Sequence, residues 1–249
     1  MYNLSECIEN NTELLSIPNK HIAFKELENA IYEVLQTYSN VERGSGHYSK
    51  VTTELYENAR MVVLDYLNLN DTDFTVIFCS PLRALLLTKE LVKSSYYIIS
   101  SEDIGLPIGL RAVVVKKSVL PEGIPFHSGG GMIKLVSANS LVLADIPERF
   151  EAGTPSIVNT IAFAKALQLM KIYGRDIFNS LYYESNFDEN LIFKDDLYDY
   201  NGIELLNILK NETIGRNNYV PIENGKREFV NLDNAASTPT FSLIWETVK

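Results

Sequence analysis

The chain has 249 residues, 46% hydrophobic and 22% charged, which is a globular composition long enough for one or two domains with a sizeable core. Acidic residues outnumber basic ones 32 to 22, so the net charge is −10. This excess of negative charge argues against a nucleic-acid or anionic-membrane binder, because both need clustered positive charge. Residues 1–11 lack the pattern of a signal peptide, and no apolar run approaches the ~18 residues that span a bilayer. We therefore expect a soluble, cytoplasmic protein.

Helical and strand patterns alternate along the first 178 residues. Apolar residues at i, i+3 and i+4 spacing, with capping residues, predict helices over 22–37, 52–67, 80–92 and 157–173. Short apolar runs predict strands over 74–79, 96–99 and 112–115, and a β-hairpin over 132–136 and 141–144. The alternation favours an α/β fold with a mostly parallel sheet, although the β–α units are too few for an open sheet of usual size.

The composition changes after this region. Residues 179–199 mix aromatic and acidic side chains without a clear period, which is typical of a linker or irregular segment. A short helix over 203–209, a strand over 229–232, a turn over 234–240 and a helical stripe from residue 241 are predicted to follow. That last stripe has no C-terminal cap before residue 249.

Cysteine and histidine give little indication of chemistry. Two cysteines cannot build a disulfide framework or a zinc site. Cys79 ends an apolar run, so we expect a buried, inert thiol rather than a nucleophile, which needs a base and an exposed position. His21 and His127 lack carboxylate or cysteine partners at ligand spacing, and we predict no metal site.

Five segments carry a family resemblance: YSNVERGSGHYS (38–49), TELYENAR (53–60), EGIPFHSGGGMIKLV (122–136), PERFEAGTPS (147–156) and FVNLDNAASTP (229–239). Together they resemble the class V aminotransferases of fold-type I, closest to the cysteine desulfurase branch. The resemblance covers about residues 22–173 and 229–249. It implies the cofactor pyridoxal 5′-phosphate, a dimer, and an α/β large-domain sheet with flanking helices, shortened in this chain.

The order of these segments departs from the family. LDNAAST opens the large domain in family members, whereas here it comes last. A shift of 217 residues aligns Phe24 with Phe241 and Ile31 with Val248, which indicates two copies in tandem. The predicted division is a degenerate copy (1–178), a linker (179–200) and the opening segment of a second copy (201–249). The alternative is a chance match of two amphipathic helices.

The Schiff-base lysine of the family is replaced. In family members it lies in a loop that precedes a G-x-P-x-G run, and residues 105–109 supply that run here. This register puts Asp103 at the lysine position, and a carboxylate cannot form an imine. Lys116 and Lys117 lie beyond the following strand, so no catalytic residue is assigned.

Two further parts of the cofactor site differ from the family pattern. The phosphate-binding turn reads Ser80-Pro81-Leu82-Arg83, and Pro81 lacks an N–H donor. Ser80 and Arg83 are open to two interpretations, an anion site or a helix cap with a surface charge. The β–α units that carry the ring-stacking histidine and the aspartate for the pyridine nitrogen are absent, since only residues 92–99 connect the flanking elements.

The segments that the family places near the neighbouring protomer's cofactor are retained. The resemblance makes Arg43, Arg149, Gly153 and Thr154 candidates for contacts in trans to a phosphate or an anionic substrate. The alternative is pure scaffold, with residues 153–155 as a helix-entry turn and Arg149 paired to a nearby glutamate. Residue 42 is glutamate where desulfurases often have histidine, which weakens any exact substrate assignment.

Three functions therefore stay open. The first is a pseudoenzyme that has lost its own Schiff-base chemistry and packs on, or completes, an intact homologous copy or a homodimer partner. The second is a piece of a longer, active aminotransferase or desulfurase whose catalytic part lies beyond residue 249. The third is a decaying fragment without activity.

Overall fold

The computed structural model describes residues 17–39, 41, 46–91, 95–123, 125, 128–137, 139–179, 197, 199–230 and 239–248. The helices are α1 (Ile17–Gln36), α2 (His47–Tyr66), α3 (Pro81–Glu90), α4 (Ile157–Tyr173), α5 (Gly202–Glu212) and α6 (Ser242–Val248). The strands are β1 (Phe74–Cys79), β2 (Tyr96–Ser100), β3 (Arg111–Lys116), β4 (Ile133–Val136), β5 (Leu141–Leu143), β6 (Tyr219–Ile222) and β7 (Gly225–Glu228). The fold is α/β, as predicted.

The chain divides into two compact units. The first contains the described residues up to 27 together with 57–179, and the second contains the described residues of 28–56 and those from 197 onward. The divisions at 178 and 200 drawn from the sequence remain a prediction, because residues 180–196 and 198 lie outside the described part of the chain. The tandem-copy interpretation also remains a prediction, although Phe24 lies in α1 and Val248 in α6.

The first unit is built on a three-stranded sheet of order β1-β3-β2. The prediction of a mostly parallel sheet is wrong for this sheet, because β3 runs antiparallel to both neighbours. The antiparallel pairing of β2 and β3 follows from the short connection between them. Residues 101–110 hold only a three-residue 3₁₀ turn, whereas a parallel pair needs a crossover of a dozen or more residues. β1 and β2 run in the same direction, but β3 separates them.

The sheet lies in the core of the first unit. Four consecutive residues of β3, Ala112 to Val115, are fully buried, which is typical of a strand covered on both faces. On one face, Ile77 and Val113 pack with Leu87 of α3 and with Phe150. Helix α4 is apolar on most of its surface and buries nine of its residues. The three-stranded core is therefore dense despite its small width.

The hairpin predicted in the first unit is confirmed as β4 and β5. A second hairpin, β6–β7 in the second unit, was not predicted. Its loop is Glu223-Asn224, and Gly225 follows with φ +140°, a conformation that favours glycine. The strand predicted over 229–232 is wrong at its start, because Phe229 and Val230 follow β7 outside any strand, and the rest lies outside the described residues.

Aromatic rings and a backbone cap organise the second unit. The Asn218 side chain donates to the carbonyl oxygen of Gln36 at 2.6 Å, which satisfies an acceptor at the end of α1. The Tyr48 ring meets the Phe229 ring edge-on, with 4.7 Å between centroids. These contacts join residues far apart in the sequence into one packed unit.

Candidate functional site

The loop that follows β2 is built around the carboxylate of Glu102. The hydroxyls of Ser100 and Ser101 donate to it at 2.6 Å and 3.2 Å, and the Arg111 guanidinium pairs with it. The Ser100 hydrogen bond is the largest of the effects that lower the pKa of Glu102 to about 2. Asp103, the next residue, is exposed in the same 3₁₀ turn. The loop thus presents two adjacent carboxylates where the resemblance expects an amine.

The G-x-P-x-G run holds this loop in place. Gly105 has φ +82°, and a Cβ added there would lie 2.4 Å from the carbonyl oxygen of Phe178. The backbone N–H of Leu110 donates to the Ser101 hydroxyl at 3.1 Å, which closes the loop at its base. The glycine is therefore required both for its backbone conformation and for a close approach of two chain segments.

The described lysines nearest in sequence do not replace the missing amine. Lys117 donates to the carbonyl oxygen of Asp71 at 2.6 Å, and the Lys116 ammonium lies 5.9 Å from the centre of the Phe74 ring. Both lie at the end of β3 opposite to Arg111, about 17 Å along the strand at ~3.4 Å per residue. These two lysines therefore do not supply the amine that an imine with pyridoxal phosphate requires.

The turn between β1 and α3 is a helix cap. The Ser80 hydroxyl accepts from the backbone N–H of Arg83 at 3.3 Å, and Pro81 is the first residue of the helix. The Arg83 guanidinium donates to the carbonyl oxygen of Phe150 at 3.2 Å. The capping interpretation of Ser80 is confirmed, and the anion-site alternative remains a prediction.

Cys79, at the end of β1, is buried as expected. Burial is the main cause that raises its pKa to about 12, and the charge of Glu151 adds to this. Arg83 and Arg111 act in the opposite direction without overcoming these effects. A thiol held in its protonated form is a poor nucleophile and a poor metal ligand.

Arg149 lies in the turn that precedes α4. Its side chain donates to two backbone carbonyl oxygens, at 2.8 Å to Ala144 and at 2.7 Å to Glu122. Both contacts tie the turn to the chain segments around the β4–β5 hairpin. In this structure Arg149 therefore supports the backbone locally.

Gly153 and Thr154 lie on the next turn, residues 151–155, directly before α4. Gly153 has φ +101°, and its N–H donates to the carbonyl oxygen of Gly130 at 2.9 Å. Thr154 is exposed. Gly153 and Thr154 are thus on a turn that is joined to the glycine-rich segment before β4, and Arg149 lies just before this turn. The fourth residue predicted to act in trans, Arg43, lies outside the described residues.

Sequence reasoning missed the buried ion pair between Arg60 and Glu151. Both side chains are 6% exposed, and two parallel N–H···O bonds of 2.6 Å and 2.9 Å join them. No local signal pointed to it, because Arg60 lies outside the apolar stripe predicted for its helix, which is formed by Leu55, Ala59, Val62, Val63 and Tyr66. Its partner could not be identified, since 91 residues separate the two.

The described residues contain neither a metal-binding cluster nor a membrane-spanning helix. They contain no group of three or more histidine, cysteine, aspartate or glutamate side chains that could hold a metal ion. No helix within the described ranges is long and apolar enough to cross a membrane.

Comparison with known proteins places the match in the middle of the chain. The family model described as Aminotransferase class-V matches residues 94–206. A probable cysteine desulfurase of Vibrio cholerae is 32% identical over 74 residues, 30% of this chain and 18% of the relative. One of Staphylococcus aureus is 32% identical over 90 residues, which are 36% of this chain and 22% of that protein. The chain's match spans about a fifth of the length of these curated relatives.

Solved structures of similar proteins are more distant. The apo cysteine desulfurase of Thermococcus onnurineus is 16% identical with a TM-score of 0.47, over 62% of this chain and 65% of that one. A cysteine desulfurase of Escherichia coli is 15% identical with a TM-score of 0.42, over 63% and 66%.

Proposed function

We propose that this chain, whose residues 94–206 match the Aminotransferase class-V family model, is a module of that family without Schiff-base chemistry of its own. It acts in the cytoplasm as a pseudo-protomer, packing against an intact homologous copy or a second copy of itself and completing or regulating a site there. The family depends on pyridoxal phosphate, and this chain does not bind it covalently.

The loop after β2 carries this proposal. Asp103 stands at the position that the resemblance gives to the lysine, and its neighbour Glu102 is held ionised by Ser100 and Arg111. Two carboxylates at that point cannot form an imine and offer no positive charge to a phosphate. The β1–α3 turn adds support, because its hydroxyl is used as a helix cap.

Reduction with borohydride after incubation with pyridoxal phosphate tests the loss of Schiff-base chemistry. We expect no imine absorption band at one equivalent of cofactor, and only scattered labelling of surface lysines in peptide maps. An Asp103→Lys variant should behave in the same way, since the proposal holds that the whole cofactor site is missing. An intact cysteine desulfurase serves as the positive control. A stoichiometric band with one reduced lysine in the wild-type chain would refute the proposal.

Light scattering after size-exclusion chromatography tests the partner. The purified chain is measured alone and mixed with an intact class V aminotransferase from the same organism. We expect either a homodimer or a complex of the two proteins. A chain that stays monomeric in both samples contradicts the pseudo-protomer role.

A second candidate function is that of a segment of a longer, active enzyme. It is favoured by the match to about a fifth of the length of the curated relatives. Reading the transcript beyond codon 249 decides between the two. Continuation into a complete class V sequence with a lysine in its G-x-P-x-G loop supports the segment, whereas an immediate stop codon removes it.

A further inference from the structure

The carboxylate of Glu151 holds the turn before α4 against the edge of the sheet. Both of its oxygens pair with the Arg60 guanidinium. One of them also accepts from the backbone N–H of Phe78 at 2.6 Å. Arg60 in turn donates to the carbonyl oxygen of Val76 at 2.6 Å and pairs with Glu57 on its own helix. A single side chain on the turn is thus bonded to both α2 and β1.

The bonded groups of β1 all lie on its outer edge. Val76 and Phe78 are two residues apart, so their backbone groups point to the same side of the strand, away from β3. The ion pair occupies the hydrogen-bonding positions that a neighbouring strand would fill. This arrangement covers an otherwise open strand edge and fixes the position of residue 151 relative to the sheet.

We propose that Glu151 is a positioning residue for the turn of residues 151–155. It holds Gly153 and Thr154, two and three residues further along the chain, in the geometry in which they contact a partner copy. The contact with a partner copy rests on the proposed function above. The positioning is argued from the bonds of Glu151 to α2 and β1, which act together with the bond from the Gly153 N–H to the Gly130 carbonyl oxygen. A preorganised turn lowers the entropy cost of association, because its backbone is already ordered before the partner binds.

The charge of Glu151 is required as well as its length. A glutamine at this position has one acceptor oxygen and two N–H donors, which face the donors of Arg60. The Glu151→Gln variant therefore leaves a buried guanidinium without its bidentate partner. The turn then loses its bonds to α2 and β1 and keeps only the backbone bond from Gly153 to Gly130. The conservative Arg60→Lys variant keeps the positive charge but loses the paired N–H fork.

A nitroxide spin label at residue 154 tests the positioning. Thr154→Cys is made in a Cys7→Ser chain, where the buried, protonated thiol of Cys79 reacts poorly. A second label, at the exposed residue 168 of α4 through Gln168→Cys, reports whether the unit stays folded. We expect Glu151→Gln to shift the residue-154 spectrum to a mobile form and to leave the residue-168 spectrum unchanged. Arg60→Lys should give an intermediate shift at residue 154 only.

Two results overturn the proposal. One is an unchanged residue-154 spectrum in a folded Glu151→Gln chain. The other is a loss of order at both labelled residues, 154 and 168, in the Glu151→Gln and Arg60→Lys variants. That result would show that the Arg60–Glu151 ion pair stabilises the whole unit rather than the turn. Light scattering of the unlabelled chain, alone and with the intact partner copy, separates this test from the proposed function. If the unlabelled chain forms neither a homodimer nor a complex, the pseudo-protomer role fails and the mobility comparison still decides the role of Glu151.

Discussion

Cys79 and Arg111 lie directly opposite each other in the register of β1 and β3. A guanidinium in that position lowers the pKa of a thiol, yet burial and the charge of Glu151 together raise the pKa of Cys79 to about 12. Desolvation therefore outweighs the attraction of the nearby cations. Cys79 therefore has the neighbouring cations that activate a cysteine, but its thiol stays in the neutral form.

This raised pKa predicts a loss of stability in alkali. The folded chain holds the Cys79 proton more tightly than the unfolded chain, whose thiol has the ordinary pKa of 9.0. The stabilising contribution is complete below pH 9 and is lost as the pH rises from 9 towards 12. Urea unfolding at a series of pH values should show a flatter alkaline decline for Cys79→Ala than for the wild-type chain.

The test compares the alkaline loss of unfolding free energy in the wild-type chain with that in the Cys79→Ala variant. The pKa values of Tyr38, Tyr48 and Tyr173 are also raised, mainly by burial for the first two and by a hydrogen bond to Glu26 for the third. These tyrosines weaken both proteins in alkali. Identical alkaline slopes with and without the thiol would show that Cys79 ionises normally.

Glu102 gives a second prediction, on the acid side. Its pKa is lowered from 4.5 to about 2, so its contribution is present above pH 4.5 and is lost as the pH falls towards 2. Removing the main cause with Ser100→Ala should raise the pKa of Glu102 towards 4.5. A carboxyl ¹³C titration by NMR measures this directly.

The neighbouring carboxylate supplies the control for that titration. Asp103→Asn removes an exposed charge without touching the hydrogen bond from Ser100. The Glu102 titration should then stay near its low value. An equal shift in the Ser100→Ala and Asp103→Asn variants would contradict the assigned cause.

Two glycines of the same loop form a matched pair for a third prediction. Gly105 and Gly109 both have positive φ, +82° and +69°. A Cβ at residue 109 meets nothing within 4 Å, whereas one at residue 105 lies 2.4 Å from the Phe178 carbonyl oxygen. Gly109→Ala should cost about 1 kcal/mol from backbone strain alone. Gly105→Ala should cost clearly more in thermal unfolding, and equal costs would show that the close approach is not present.

Much of the fold could be predicted where local pattern determines structure. The strand over 74–79 and the helix over 157–173 have the predicted bounds, because an unbroken apolar run and a turn before a proline-marked helix are local signals. The direction of β3 is not a local property. It depends on which strands become neighbours in the sheet, and the strand pattern does not show that β3 lies between β1 and β2.

The missed elements have physical reasons of their own. β7 reads Gly-Lys-Arg-Glu and is exposed throughout, so it lacks the alternation by which a strand is recognised. The Asn224-Gly225 pair at the end of its loop is the one local feature that favours a hairpin here. The buried pair of Arg60 and Glu151 is different, because one sequence contains no information on which distant charge meets which.

That pair gives the last prediction. Arg60→Met leaves the buried Glu151 carboxylate without its cation and should cost about 3–5 kcal/mol. The double variant Arg60→Met, Glu151→Leu should cost less than the sum of the single variants, since neither charge is then stranded. It should not return to wild-type stability, because the Val76 carbonyl and the Phe78 N–H lose their partners, at about 1–3 kcal/mol for each buried group.

Native-state hydrogen exchange of the β1 amides measures this local stability. The exposed pair of Lys171 and Asp65 is the control, and Lys171→Met should change the exchange by no more than about 1 kcal/mol. Costs for Arg60→Met no larger than for that control would show that the buried pair contributes nothing to the edge of β1.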